Sequence, residues 1–330
     1  MQTADERIGR SANTDHSIRV AFFLGSDITS HLIANRLLPI LLDSGMSVRL
    51  YLTRAEANPD RPELLRQLFF VEHTLLQEHA YPYADLHGTP RSDGFNTPKG
   101  WRSLAPDRVT VYEIDDVNTP EFIEQLAAEK IDVTVCVRCY QKFGEPILRT
   151  LAADASIFVN LHPGLLPHYQ GVNTFLRSMA EGAEQAGFTL HHLEEDWDTG
   201  AVIGQARFPL SYADSVSENM ITHAADAASL ILGTIERVAA GLPVDAQVQD
   251  ASKARYFSYP TTADLDKLTD DGIDVYSAST VIDTLADVFF GTVPEIAELR
   301  QVLIDAVEAA GIPCEYGVSG QSAADTAAQQ

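Results

Sequence analysis

Apolar and polar positions alternate along the chain in blocks that predict strands and helices in turn. Five short apolar runs are expected to be strands, at residues 18–24, 48–52, 109–114, 131–137 and 157–161. Residues 28–42 and 62–78 instead carry apolar stripes at helical spacing. Apolar strands that alternate with helices are typical of a parallel sheet covered on both faces. The pattern therefore predicts an α/β fold: a Rossmann-like, doubly wound and mostly parallel sheet.

The pattern changes after residue 187. Residues 188–193 and 202–210 are strand-like runs joined by a short acidic turn at 194–200, and a helix is expected over 216–240. Residues 255–261 are interpreted as an ordered strand or loop. Residues 277–311 have a helical pattern. These segments predict an antiparallel addition to the sheet and a partly helical C-terminal extension.

The same patterns divide the chain into units. Residues 1–17 are polar and unpatterned and predict a flexible tail, and residues 317–330 predict a disordered one. The main α/β domain is expected over 18–245, followed by the extension at 246–316. Within the main domain, residues 79–106 are rich in Gly, Pro, Asp and Tyr and predict a long irregular insert.

Charge and cysteine content exclude several classes of function. The chain has 47 acidic against 23 basic residues, a formal net charge of -24, and its cations are scattered, which disfavours a nucleic-acid partner. No apolar run approaches membrane-spanning length, so we expect a cytoplasmic protein with no membrane partner. Cys136 and Cys139 have the spacing of half a zinc knuckle. They fall in a run expected to be a buried strand, so we expect no metal site.

Three polar residues stand where catalytic groups of such a fold collect. Asn160 and His162 follow one another at the end of a predicted strand, where ligands of open parallel sheets bind. Their spacing sends both side chains to the same side, and Pro163 then ends the strand. Asp198 lies in the acidic turn. Each residue alone also fits an ordinary structural position, in a loop contact or a polar turn. Together, a carboxamide, an imidazole and a carboxylate can move an acyl carbon between nitrogens.

Residues 157–210 resemble the folate-dependent formyltransferases, a family that includes methionyl-tRNA, glycinamide ribonucleotide and sugar N-formyltransferases. The stretch from Asn160 to Gly171 resembles the signature loop of that family, and the stretch from Glu195 to Gly200 resembles its Asp-bearing turn. The resemblance implies that Asn160, His162 and Asp198 form the catalytic set and that 10-formyltetrahydrofolate is the formyl donor. Two residues depart from the pattern: Gln170 replaces the common Arg or Lys, and Trp197 is bulkier than the usual aliphatic residue.

The resemblance also implies where the donor binds. The pterin ring is expected between the loop after the 131–137 strand and the 193–199 turn, with contacts from Arg138, Tyr140, Phe143, Leu166, Leu193, Glu195 and Trp197. Apart from the resemblance, the insert could supply the acceptor pocket, or it could be a surface loop without function. The acceptor contacts expected in the insert and the signature region are Tyr81, Tyr83, Trp101, Gly164, Gly171 and Asn173.

The first strand narrows the choice of acceptor. Gly25 stands alone, so a dinucleotide fingerprint and a glycine-rich phosphate cradle are both missing, and Asp27 would repel a phosphate at the following helix. We therefore expect a small amine, such as an amino sugar, an amino acid or an N-hydroxyornithine-type hydroxylamine, that attacks the formyl carbon directly. Two alternatives stay open: a formyltetrahydrofolate hydrolase and a non-catalytic folate-binding protein. The extension could serve acceptor binding or a homodimer contact.

Overall fold

A computed structural model describes residues 17–88, 95–151, 156–291 and 293–314 of the 330-residue chain. The predicted tail at 317–330 lies outside the described residues, as does the predicted tail at 1–17 except for its last residue.

A mixed seven-stranded sheet forms the centre of the fold. The strands are β1 Arg19–Gly25, β2 Ser47–Thr53, β3 Val109–Ile114, β4 Val133–Val137, β5 Ile157–His162, β6 Gln170–Gly171, β7 Gln185–His192, β8 Val202–Pro209 and β9 Tyr256–Phe257. The large sheet has the order β3-β2-β1-β4-β5-β7-β8, and β6 pairs with β9 separately. The first five strands are parallel, whereas β7 and β8 run antiparallel to their neighbours. The predicted doubly wound, mostly parallel sheet is confirmed.

Helices cover both faces of this sheet. They are α1 Ile28–Asp43, α2 Glu63–Phe69, a π-helical segment Phe70–Ala80, α3 Tyr81–His87, α4 Pro98–Leu104, α5 Pro120–Glu129, α6 Glu145–Leu151, α7 Thr174–Ala180, α8 Val216–Thr222, α9 Ala224–Ala239, α10 Thr262–Asp270, α11 Ala278–Phe290 and α12 Glu295–Ala309. Within the described part of the chain, none of the helices is both long and apolar enough to cross a lipid bilayer.

The alternation of side chains in the buried strands creates two cores, one on each face of the sheet. In β1, Phe22 and Leu24 enter one core, and Phe23 enters the other. The first core includes buried residues of α1, α9 and α11, and the second includes buried residues of α5 and α6. Coverage on both faces explains why the central strands β1 and β4 are almost wholly apolar and buried.

The structure corrects three sequence expectations. The described part of the insert at 79–106 is largely helical, and Pro82 and Pro98 occupy the first turns of α3 and α4, where proline is tolerated. The helix expected at 216–240 is two helices that meet at His223. The short helix α10 was not predicted, although Thr261 caps it with a capping box.

Candidate active site

A cavity of about 730 Å³ opens at the carboxyl ends of the central strands. The chain adds β2 and β3 on one side of β1 and then β4 and β5 on the other, so the strand order reverses between β1 and β4. Crevices of this kind are where ligands of open α/β sheets bind. Asn160, His162 and Asp198 all line this cavity. The three residues of the expected catalytic set therefore share one site.

The His162 ring lies between two oxygen atoms. Its Nε2 donates to the Tyr169 carbonyl oxygen over 2.6 Å, and its Nδ1 lies 3.3 Å from Asp198 Oδ1. Both nitrogens thus face oxygen acceptors, so contacts on two sides orient the ring. A side chain at residue 164 would place its Cβ 2.7 Å from Nε2, so Gly164 leaves the space that the ring occupies. The ring is fixed and is only 3% exposed.

Asp198 is buried, ionised and bound on several sides. The Gly171 amide donates to its Oδ2 over 2.8 Å, and its Oδ1 also lies 3.7 Å from His191 Nε2. Burial alone would raise the pKa of this carboxyl, but the charge and hydrogen bond of His162, helped by the Gly171 amide, hold the pKa well below its usual range. The carboxylate is therefore a stable partner for a protonated imidazole.

His191, which sequence reasoning missed, orients Asn160. The two residues face each other in the antiparallel pairing of β5 with β7. His191 Nδ1 donates to the His192 carbonyl oxygen over 2.8 Å, which leaves Nε2 free to accept from Asn160 Nδ2 at 3.1 Å. This contact fixes which end of the carboxamide carries the N–H groups. The signal available in the sequence was a histidine inside the apolar run 188–193.

A buried ion cluster lies at the ends of β1 and β4 and borders the same cavity as Asn160, His162 and Asp198. Arg138 Nη2 donates to Glu72 Oε2 over 2.9 Å, and its Nη1 lies 3.1 Å from Asp27 Oδ1. Burial raises the pKa of Glu72, whereas for Asp27 burial is overcome by Arg138, by His73 and by hydrogen bonds from Ser30, and its pKa is lowered. The Arg138 guanidinium is thus already bound by two carboxylates, and this cluster fixes the start of the 138–143 loop.

The residues expected at the donor divide into two groups. Six of the seven line the cavity: Arg138, Tyr140, Phe143, Leu193, Glu195 and Trp197. Phe143 packs edge-on against Phe158 in the core, so it forms a rigid wall, while Trp197 is 49% exposed. Leu166 is buried instead, its amide donates to Thr189 Oγ1, and it is not among the described residues that line the cavity.

The aromatic residues expected at the acceptor lie elsewhere. Tyr81 hydrogen-bonds His31, and Trp101 donates from Nε1 to Asn35 Oδ1 over 2.9 Å, so both support α1 from within the core. Tyr83 packs against α11 and donates to Glu298. None of the three is among the described cavity-lining residues, because each ring buries against helices and finds its polar partner there.

The residues expected at the acceptor from the signature region remain close to the site. Gly171 and Asn173 line the cavity, and Gly164 borders the His162 ring. Two further cavity residues, Tyr256 and Tyr259, come from the C-terminal extension. The Arg61 guanidinium lies 3.9 Å above the Tyr259 ring, so the extension reaches the opposite rim of the cavity.

The central part of the chain is similar to known proteins. Residues 85–234 match the family model described as "Formyl transferase". Methionyl-tRNA formyltransferase of Chlorobium chlorochromatii is 31% identical over 145 residues, which cover 44% of this chain and 45% of that protein. Phosphoribosylglycinamide formyltransferase of Haemophilus influenzae is 41% identical over 135 residues, 41% of this chain and 60% of that protein.

A third relative, GDP-perosamine N-formyltransferase of Brucella melitensis biotype 1, is 34% identical over 164 residues, 50% of this chain and 61% of that protein. The chain thus spans about half to three fifths of the length of these relatives. The segment that matches the family model contains Asn160, His162 and Asp198, together with the cavity walls at 138–143 and 193–197. On this match, residues 85–234 are similar to the formyltransferase family.

Proposed function

We propose that this protein is an N-formyltransferase that transfers the formyl group of 10-formyltetrahydrofolate to a small amine. The observation that carries the proposal is the contact between His162 and Asp198 at one wall of the cavity, with the Asn160 carboxamide at the same site. A carboxamide, an imidazole and a carboxylate in this arrangement supply a hydrogen-bond donor, a proton carrier and its counter-ion.

The cavity is suited to a donor of this type. Its volume of about 730 Å³ lies within the range of roughly 300–1,000 Å³ that is usual for small-molecule sites. Phe143 and Leu193 line the cavity and would provide apolar surface, and backbone amides and carbonyls of the 138–143 and 193–197 segments would bind the polar edge of the donor. When bound, 10-formyltetrahydrofolate supplies a formyl carbon attached to nitrogen. Arg138 would contribute through its backbone, because its guanidinium is engaged by Asp27 and Glu72.

Asn160 would stabilise negative charge on the formyl oxygen as the amine attacks. Its Nδ2 carries two hydrogens, and His191 accepts one of them, so the other remains for the substrate. One such donor contributes roughly 3–4 kcal/mol to transition-state stabilisation in acyl transfer.

His162 would relay a proton: it would give one to the departing nitrogen and be reprotonated by the attacking amine. Asp198 stays ionised, since its pKa is held low, and can therefore stabilise the imidazolium that forms. General acid–base assistance of this kind contributes about 10²–10⁴ in rate. The Tyr169 carbonyl oxygen accepts from Nε2 and so fixes the ring before this transfer.

The acceptor that we propose carries no phosphate at the β1–α1 turn. Asp27 caps α1 there and accepts from the Ser30 amide over 3.0 Å, so the helix N-terminus is already occupied by a carboxylate. The formal net charge of -24 likewise disfavours a nucleic-acid acceptor. An amino sugar, an amino acid or a hydroxylamine remains, and the three relatives, named for three different acceptors, show that the matched segment does not fix the choice.

The test is to incubate the purified protein with 10-formyltetrahydrofolate and a panel of amino sugars, amino acids and hydroxylamines, and to follow release of tetrahydrofolate. We expect turnover that depends on one class of amine and is lost in His162→Gln. Release of formate without an amine would instead identify a hydrolase. Tight folate binding with no turnover on any amine would indicate a binding protein.

A further inference from the structure

The turn that carries Asp198 is not held by its own residues alone. Asp198 has a φ of 58°, a left-handed conformation that is uncommon for a residue other than glycine. Its backbone carbonyl accepts from the side chains of Gln170, over 3.1 Å, and Gln249, over 2.7 Å. Gln249 belongs to the C-terminal extension and lies outside residues 85–234, which match the family.

Gln249 joins both sides of this turn. Its Nε2 donates to the Asp198 carbonyl and, over 2.8 Å, to the Gly200 carbonyl, while its Oε1 accepts from Gln170 Nε2 at 3.3 Å. The two carboxamides thus bracket the Asp198 backbone, so that Oδ1 faces His162 and Oδ2 meets the Gly171 amide. Gln170, which replaces the cation common in the family, supplies the partner that Gln249 needs.

The chain on either side of Gln249 is fixed to the main domain. Before it, the backbone of Gln247 exchanges two hydrogen bonds with Val202, at 2.7 and 2.8 Å. After it, β9 pairs with β6, and the Phe257 carbonyl accepts from the Val172 amide. Because these contacts already order the backbone of Gln249, its hydrogen bonds to the turn cost only the conformational entropy of the side chain.

We infer that Gln249 is a positioning residue for the reaction, which acts by holding the Asp198 carboxylate against His162 Nδ1. This role rests on the formyl transfer proposed above. Gln249 does not line the cavity among the described residues, so it acts through Asp198 and not on the substrate. A segment beyond the matched family domain thereby becomes part of the catalytic machinery.

Gln249→Glu tests this role with almost no change in shape. The carboxylate cannot donate to the two carbonyl oxygens and places negative charge beside them. We expect kcat to fall about tenfold or more while the KM for the donor stays within about twofold, because the lost effect is on the transition state. Gln247→Glu is the matched control, since Gln247 has an exposed side chain and contacts Val202 only through its backbone. It should leave both constants unchanged.

A second readout does not depend on turnover. In protein labelled with ¹⁵N-histidine, the His162 Nδ1–H proton, assigned by its absence in His162→Gln, reports the contact with Asp198. Gln249→Glu should move or broaden this resonance, and Gln247→Glu should not. An unchanged resonance in Gln249→Glu overturns the inference, even if the protein shows no formyl transfer and the proposed function fails. If the Glu variant does not fold, Gln249→Met removes the same donors without adding charge, and the same change in the His162 resonance is expected.

Discussion

Gly171→Ala tests how tightly β9 lies against the signature loop. Gly171 has a φ of +95°, and a Cβ at this position would lie 2.1 Å from the Phe257 carbonyl oxygen. The conflict is with backbone, so rotation of a side chain cannot relieve it. Either β9 moves away or the loop does, and the contacts on both sides of Gly171 are then lost.

The cost can be worked out from those contacts. A left-handed conformation costs an alanine about 1–2 kcal/mol. Displacing β9 also breaks the Val172 amide to Phe257 hydrogen bond, which contributes about 1 kcal/mol. Displacing Gly171 weakens its bond to the Asp198 carboxylate, a hydrogen bond to a charged group that contributes about 2 kcal/mol. We therefore expect Gly171→Ala to lower the free energy of unfolding by about 4 kcal/mol.

Gly182→Ala separates the cost of the left-handed conformation from the cost of the clash with β9. Gly182 also has a positive φ, +69°, but a Cβ there meets nothing within 4 Å. It should cost only the conformational penalty of about 1–2 kcal/mol. Urea unfolding at pH 7 measures both variants, and the same samples are assayed for formyl transfer, which should fall in Gly171→Ala alone. Equal losses of stability in the two variants would refute the close contact between Gly171 and β9.

Three further predictions follow from the site. Asp198→Asn should lower kcat by about 10²–10⁴ with little change in donor binding, measured by steady-state kinetics. Because the folded-state pKa of Asp198 is lowered, its ionised form stabilises the fold above the unfolded-state pKa of about 3.9, and this contribution is lost as the pH falls below that value. The wild type should therefore lose stability faster than Asp198→Asn in acid unfolding, and parallel curves would contradict the lowered pKa. His191→Phe removes the hydrogen-bond acceptor of Asn160 and should reduce kcat more than it raises the KM for the donor. An unchanged kcat would show that Asn160 does not need this hydrogen bond for its orientation. Arg138→Met leaves the two carboxylates of the ion cluster without their cation and should cost about 3–5 kcal/mol of unfolding free energy, in contrast to Arg102→Met on the surface of α4.

The sequence predicted the central sheet well because its strands are buried on both faces. A short run of apolar residues such as 131–137 can bury all its side chains as a central strand covered on both faces, and β4 lies within this run. Asn160, His162 and Asp198 were expected together because the family pattern links the end of β5 to the following turn, and the structure brings all three to one cavity. Their catalytic roles stay a prediction.

The sequence did not predict contacts that depend on distant segments. Trp101 and Tyr81 stand near prolines and glycines that indicated a loop, yet their hydrogen-bond partners on α1 lie far away in the sequence. Gln249 lies in a polar stretch without a periodic pattern, and its contact with the Asp198 carbonyl is visible only in the structure. Polar side chains of this kind carry no periodicity, so the tertiary structure decides whether they are solvated or bound.

The pairing of β6 with β9 determines where the protein can be cut into fragments. A recombinant fragment that stops at residue 245 would retain Asn160, His162 and Asp198 but lose Gln249 and the strand that packs on Gly171. The cavity would keep most of its walls, while the Asp198 carboxylate would no longer be held against His162. A minimal active fragment therefore has to extend past Phe257, and a shorter one should bind the donor yet turn over slowly.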